Sequence, residues 1–221
     1  MTTNPLKECP TCGIKLGKKG FFSADQDYNI MSESDLQLIK DFNPEAKPKI
    51  YCQCCGSELL AKARQLLHDY ESKIVERIKN NLSCIPVIST HSPINWDYEV
   101  IGMVTGQSTT GTGVISELTS SFTDFFGAQS GAYNKKLKVG EDLCFSQLRK
   151  QAIDLGANAV LATDIDYSEV GGRIGMLMVC MAGTAVKLKN LDIVGSERAI
   201  LIDEVVKLNN HMNYLMKKYH V

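Results

Sequence analysis

Residues 154–189, DLGANAVLATDIDYSEVGGRIGMLMVCMAGTAVKLK, decide the fold predicted for this chain. A helix is expected to end at Gly156, because glycine adopts the left-handed conformation that closes helices without a steric cost. Two apolar runs of strand length follow, at 159–165 and 176–186, and polar and glycine residues supply a turn between them. The second run barely alternates between apolar and polar residues. We therefore expect both faces of that strand to be covered, by helices or by another subunit.

Composition limits the classes of partner. A length of 221 residues suits one or two domains, and a net charge of −1 provides no electrostatic footprint for nucleic acid or an anionic membrane. No apolar segment approaches the ~20 residues that cross a bilayer. The first residues, MTTNPLKECPTCG, lack the apolar region of a signal peptide, so a cytoplasmic location is expected. In that reducing compartment, the eight cysteines are expected to be metal ligands or buried thiols.

Two pairs of cysteines predict a metal site. In each pair two residues separate the cysteines and a glycine follows, and four such thiolates can close a tetrahedron around one ion. All-sulfur tetrahedral sites select zinc or iron, and structural zinc is expected here. A closed shell leaves no position for a substrate, so the site should stabilise the fold rather than catalyse a reaction. The predicted ligands are Cys9, Cys12, Cys52 and Cys55.

Alternatives remain at the second pair, Cys52-Gln-Cys54-Cys55. The spacing favours Cys52 and Cys55, and Cys54 is the alternative fourth ligand. A redox pair without metal, or four ordinary cysteines, is the competing interpretation. Between the two pairs, Ser32 or Ser34 is expected to cap a helix that runs through residue 41.

The remaining elements follow from apolar spacing. It predicts helices at 57–82, 115–126, 139–155 and 196–221, and strands at 85–90 and 98–105. The helix at 57–82 is either a coiled-coil stalk or an amphipathic helix lying on its own domain. Residues 106–113, GQSTTGTG, do not fit a phosphate-binding loop and predict an ordinary flexible loop. The last helix has a heptad seam that favours self-association over docking on its own sheet, formed by Leu201, Val205, Leu208, Met212, Leu215 and Tyr219.

No catalytic residues are predicted. His91 is the only histidine of the expected core domain, and no motif holds a base against a nucleophile. Three single cysteines in apolar surroundings are expected to be core residues: Cys84, Cys144 and Cys180. Asp164 and Asp166 would point to one face of a strand, where they could share a hard cation or simply end a solvated strand.

Several short motifs carry a family resemblance. GANAV at 156–160, DIDY at 164–167, MLMV at 176–179 and GTAV at 183–186 are preceded by VTG at 104–106 and SGAY at 130–133. Over roughly residues 85–188 the chain resembles the YbjQ family, which is described as a "putative heavy-metal-binding domain". The resemblance implies a ring-like homo-oligomer, with a pentamer as the expected size.

Together these observations predict an α+β protein. A zinc-ribbon-like module with a helical insert is expected at 1–57, a helical connector at 58–83, a YbjQ-like α/β sandwich domain at 84–190 and an oligomerising helix at 191–221. The predicted function is a non-enzymatic assembly or interaction module that meets a protein partner through the ribbon. The alternative is a small-molecule or metal-binding protein with its site between subunits, near Asp164, Asp166 or Gln107.

Overall fold

The computed structural model describes residues 7–16, 29–43, 50–110, 128–170 and 176–220. The chain divides into two compact units, Met1–Val75 with Tyr214–Val221, and Glu76–Asn213. Helices and one antiparallel sheet confirm the predicted α+β class. The elements are α1 (Glu33–Phe42), α2 (Gln53–Asn81), β1 (Tyr98–Thr110), α3 (Ala128–Asp154), β2 (Ala159–Val170), β3 (Met176–Leu188) and α4 (Ser196–Tyr219), with short 3-10 turns at Leu82–Cys84 and Leu191–Val194.

The second unit is built on a three-stranded sheet in the order β1-β3-β2, with both pairs antiparallel. Helix α3 covers one face of this sheet because its apolar stripe packs on the inward residues of all three strands. That core is closed at its centre, where Val104, Leu148, Val179 and Val160 are at most 1% exposed. A smaller cluster on the other face, near the ends of the strands, includes Trp96.

The motif at 156–160 connects the end of α3 to the start of β2. Gly156 has a φ of +84°, as the prediction of a helix-ending glycine requires. Asn158 is buried, and its side-chain amide donates to the carbonyl oxygen of Leu188 at 3.0 Å while its Oδ1 accepts from the Leu188 N–H at 2.6 Å. The asparagine therefore ties the start of β2 to the end of β3, and its polar atoms are satisfied within the chain.

Among the described residues, the middle of β3 is covered on one face, by α3, whereas the end of the strand is also covered on the other face, where Val186 joins the cluster that includes Trp96. Val179 and Met181 are buried beneath α3, whereas Met178, Cys180 and Ala182 on the opposite face are half-buried. Within the described residues, the expectation of two covered faces is thus met at the end of β3 but not at its middle. Burial of the single cysteines is confirmed for Cys84 and Cys144, but Cys180 lies on the open face.

The prediction of a flexible loop at 106–113 is wrong for residues 106–110, because β1 continues to Thr110. Gly106 belongs to this strand for a packing reason. A Cβ atom there would lie 2.7 Å from the carbonyl oxygen of Cys144, so only glycine lets α3 approach so closely. Residues 111–113 and the predicted helix at 115–126 lie outside the described residues.

The predicted strand at 85–90 is not a regular strand, although its backbone does pair with β2. One parallel bridge joins Val87 and Val160. The ladder stops there because β2 carries an irregularity between Leu161 and Asp164, where Ala162 has a φ of +51°. Beyond it, the N–H of Thr163 still donates to Ile88 at 3.0 Å.

Two glutamines of α3 occupy part of the outer edge of β1. The Gln151 amide donates to the carbonyl of Thr105 at 2.6 Å and accepts from its N–H at 3.2 Å. The Gln147 amide does the same at Gln107, with distances of 3.0 and 2.8 Å. Four residues of helix rise about 6 Å and two residues of strand about 7 Å, so the spacings match. The side-chain amides replace a neighbouring strand at an otherwise open edge.

Replacing both glutamines by alanine is expected to expose this edge. Four backbone hydrogen bonds are lost, at a cost of roughly 1 kcal/mol for each pair, and the freed edge can pair with other chains. Light scattering should show concentration-dependent species larger than those of the unmodified protein. The control is Gln65→Ala, since Gln65 lies on α2 and, within the described part of the chain, its side chain bonds only the exposed Asp69. Equal scattering by both variants would contradict the edge-capping role.

The first unit is organised around α1 and the start of α2. Helix α1 begins with Ser32, whose Oγ accepts from the N–H of Asp35 at 3.1 Å, as predicted. At its other end Phe42 makes ring contacts with Tyr70 and Tyr219. Lys218 donates to Asp41 at 2.8 Å, so the end of α4 is held against α1 by charge as well as by aromatic packing.

The predicted long helices are present with shifted bounds. Helix α2 begins at Gln53, four residues before the predicted start, and its positions Ala63, Leu67, Ile74 and Ile78 are buried. In α4, Val205 and Leu215 of the predicted heptad seam are buried within the single chain, and Leu201 is exposed. Among the described residues, no helix is long and apolar enough to cross a membrane.

Candidate metal centre

The first cysteine pair lies on a tight turn. Residues 8 and 15 form an antiparallel bridge, which brings the two arms of the turn together. Within it, the N–H of Cys9 donates to Ile14 at 2.8 Å, and the N–H of Gly13 donates to Cys9 at 2.8 Å. Gly13 has a φ of +73°, a conformation that a side chain would strain. The glycine thereby lets the chain turn so that Cys9 and Cys12 face the same point.

The second pair lies at the start of α2. Cys52 bridges with Ile30, and the N–H of Met31 donates to the carbonyl of Tyr51 at 3.0 Å, so the segment before α1 fixes this turn. Gly56 lies beneath Met31, where a Cβ atom would be 2.2 Å from the methionine Sδ. The glycine is needed for close packing. Cys52 thus immediately precedes α2, and Cys55 lies in the first turn of that helix.

The four sulfur atoms converge on one point. The Sγ atoms of Cys9 and Cys55 are 3.8 Å apart, those of Cys12 and Cys52 are 3.6 Å apart, and those of Cys52 and Cys55 are 3.7 Å apart. All four lie within 4.8 Å of one another, and all four cysteines are free of disulfides. A tetrahedral ion with metal–sulfur bonds of about 2.3 Å requires sulfur–sulfur separations of about 3.8 Å. The donor set therefore has the size of a tetrahedral metal site.

The thiols differ in how readily they ionise. Burial raises the pKa of Cys9, but N–H groups of Cys12 and Thr11 in the turn outweigh it and bring that pKa down to about 6. Burial raises the pKa of Cys55 to about 12, and contacts with the neighbouring thiols add to the increase. Four thiolates this close repel one another, so a cation at their centre is what would let all four ionise together.

The structure separates Cys55 from Cys54. Cys55 contributes to the cluster, whereas Cys54 is exposed and lies outside it. Successive residues of a helix are about 100° apart, so these neighbours cannot both face the same ion. Among the described residues, the four-cysteine cluster is the one group of three or more potential metal-ligating side chains whose atoms converge.

The residues proposed for a second site line a shallow cavity of about 190 Å³ on the open face of the sheet. Asp166 and Gln107 both pair with Cys180, and Asp164 and Thr105 both pair with Ala182, so the register of the sheet brings them together. The sequence indicated the two aspartates and the glutamine. Thr105 and Cys180 could not be found without the strand pairing.

These features define a chain that joins a compact four-cysteine unit to an α+β domain with a helix packed on a three-stranded sheet. Residues 87–189 match the model of the YbjQ family, whose description is "Putative heavy-metal-binding". This confirms the resemblance over that part of the chain. The four cysteines lie outside the matched residues.

One similar solved structure is a protein of unknown function from Pediococcus pentosaceus, described as belonging to the DUF74 family. The two sequences are 16% identical, and the match covers 47% of this chain and 96% of the other, with a TM-score of 0.35.

Proposed function

We propose that this chain is a non-enzymatic, homo-oligomeric YbjQ-like protein that serves as an assembly or interaction module. In this proposal a structural zinc ion, held by Cys9, Cys12, Cys52 and Cys55, stabilises its N-terminal unit. The observation that carries the proposal is the convergence of four thiols at separations of 3.6 to 3.8 Å. A cytoplasmic location would keep these thiols reduced.

The composition of the cluster supports a structural role. Four thiolates complete a tetrahedral shell and leave no open position for water or substrate, unlike the three-ligand shells of catalytic zinc. Iron would fit sulfur atoms at the same distances. Zinc is preferred because it is the usual ion of closed four-cysteine sites that fold a small unit.

Exposed apolar side chains on the second unit support self-association. On the open side of β1, Val100 is 63% exposed and Met103 is 71% exposed. Together with the half-buried Ala182 of β3, which lies next along this face, they form an apolar surface that a second copy would cover. Because Val205 and Leu215 are already buried within the single chain, the complete α4 seam is not open to a partner helix, and the sheet face is the proposed contact. The family resemblance supports a pentamer, and the N-terminal unit is the proposed surface for a protein partner.

A second candidate function is favoured by the cavity on the open face. Gln107, Asp164 and Asp166 line it beside the apolar surface that a second copy would cover. A ligand bound there would lie between subunits, and the carboxylates suit a cation or a small molecule with a positive group. This protein would then bind or sense a ligand.

Native mass spectrometry with and without a strong chelator tests these proposals. We expect one zinc ion per chain, removed by the chelator, in an oligomer that survives its removal. Dissociation on chelation would instead place the cysteine unit in the assembly contact. A second metal ion per chain would favour the cavity. Finding no metal under reducing conditions would refute the zinc site. Finding only monomers would refute the oligomer.

A further inference from the structure

Arginines are scarce in this chain, yet they concentrate at one place in the second unit. The sequence contains five arginines, and two of them contact consecutive carbonyl groups. Nε of Arg198 donates to the carbonyl of Cys84 at 2.7 Å, and Nε of Arg149 donates to the carbonyl of Ile85 at 3.0 Å. Both positive charges also lower the pKa of the Cys84 thiol, against the increase that burial causes, so both guanidinium groups lie near this turn.

The nearby carboxylates are already paired with other cations. Glu204, which also acts on the Cys84 thiol, accepts from Nε of Arg77 at 2.8 Å. Asp142, the carboxylate that acts on Arg149, lies 3.0 Å from Nζ of Lys138.

Among the ion pairs of the described residues, none includes Arg149 or Arg198. Arg149 is half-buried, and its burial together with the charge of Arg198 lowers its pKa. Two neighbouring cations that form no ion pair of their own repel each other, and a bound anion would relieve that cost.

The guanidinium groups are also held in place. Each Nε is fixed by a main-chain carbonyl, and Arg149 lies over the ring of Phe145 at 5.5 Å from its centroid. No hydrogen bond to the terminal nitrogens of either group is present among the described residues. Planar guanidinium groups with free terminal N–H donors bind phosphate and carboxylate oxygens in a bidentate manner. Little side-chain freedom would be lost on binding because the groups are already positioned.

We propose that Arg149 and Arg198 form a binding site for a small oxyanion of the phosphate class. Two adjacent positive charges match a phosphate group, which carries about 1.5 to 2 negative charges at neutral pH, better than they match a single carboxylate. The site lies in the second unit and is formed without the four cysteines, so it is independent of the proposed zinc ion.

Inorganic phosphate titrated into the full-length protein tests this site. Sodium chloride at matched ionic strength serves as the reference for nonspecific screening. The line width of the phosphorus NMR signal reports binding, and thermal unfolding followed by the fluorescence of Trp96, the single tryptophan, reports stabilisation of the second unit. We expect phosphate to broaden its signal and to raise the unfolding midpoint more than chloride does.

Variants separate the site from the general charge of the protein. Arg149→Gln and Arg198→Gln should each weaken phosphate binding at least tenfold. Arg64→Gln should leave it unchanged, because Arg64 is an exposed arginine of the other unit that pairs with Asp35. Should Arg149→Gln unfold, Arg149→Lys keeps the charge but not the planar fork, and it should bind more weakly than the unmodified protein. The proposal would be overturned if phosphate raised the unfolding midpoint no more than chloride does, or if Arg198→Gln bound phosphate as well as the unmodified protein does.

Discussion

Replacing Cys52 by serine is expected to abolish metal binding and to unfold the N-terminal unit. Cys52 is fully buried, and its Sγ lies 3.6 Å from that of Cys12 and 3.7 Å from that of Cys55, so its loss opens the tetrahedron. Binding of structural zinc contributes on the order of 10–16 kcal/mol that is coupled to folding. In a unit this small, a shared ion would be a major link between the turn at residues 7–16 and the start of α2.

Two measurements together test this expectation. Metal content should fall from about one ion per chain to none, and circular dichroism should show a loss of helix. Trp96 packs near Ala159 and Val186 in the other unit, so its fluorescence should remain that of the native protein. Cys54→Ser is the matched control, since Cys54 is exposed and lies outside the cluster. If Cys54→Ser lost the metal and Cys52→Ser retained it, the proposed ligand set would be wrong.

The second large effect is expected from Gly106→Ala in β1. The added Cβ atom would lie 2.7 Å from the carbonyl oxygen of Cys144 and 2.9 Å from its Cα, and backbone atoms cannot rotate away as a side chain can. Helix α3 would have to move off the sheet or β1 would have to bend. Overpacking of this kind costs roughly 1–3 kcal/mol, and we expect the upper end because the contact is with backbone.

The same strand provides the control. A Cβ atom at Gly102 would meet only Cδ1 of Leu155, at an ordinary contact distance of 3.8 Å. Gly102→Ala should therefore leave stability nearly unchanged, within about 0.5 kcal/mol. Chemical denaturation followed by Trp96 fluorescence compares the free energies of unfolding. If both variants lost the same free energy of unfolding, the close approach of α3 to Gly106 would not be what makes alanine destabilising there.

Local patterns predicted much of this structure because each depends on residues close together in the chain. Only a few successive residues are involved in three of these patterns: the helix cap at Ser32, the helix end at Gly156, and the spacing of Cys52 and Cys55. The motifs MLMV and GTAV likewise lie on a strand that the apolar pattern marks, whereas SGAY lies at the start of α3, before the predicted helix. Bounds were less reliable: α2 starts before its apolar stripe, since its first turn carries the cysteines instead.

The errors arose where tertiary contacts override a local signal. Glycine at 106 suggested a loop, whereas its actual role is to admit the backbone of α3 against β1. The apolar segment at 85–90 suggested a full strand, but the irregularity around Ala162 in its neighbour interrupts the pairing. Neither reason is visible within the segment itself.

The sequence by itself determined the α+β class and the four cysteines that could hold an ion, because these follow from periodicity and short spacings. The family resemblance rests on short motifs that match a known family. Tertiary structure decided which sulfur atoms meet, how Gln147 and Gln151 occupy the edge of β1, and where Arg149 and Arg198 converge. Those arrangements depend on strand register and helix packing between residues far apart in the chain. Such long-range contacts have no local sequence pattern, and only the folded chain brings them together.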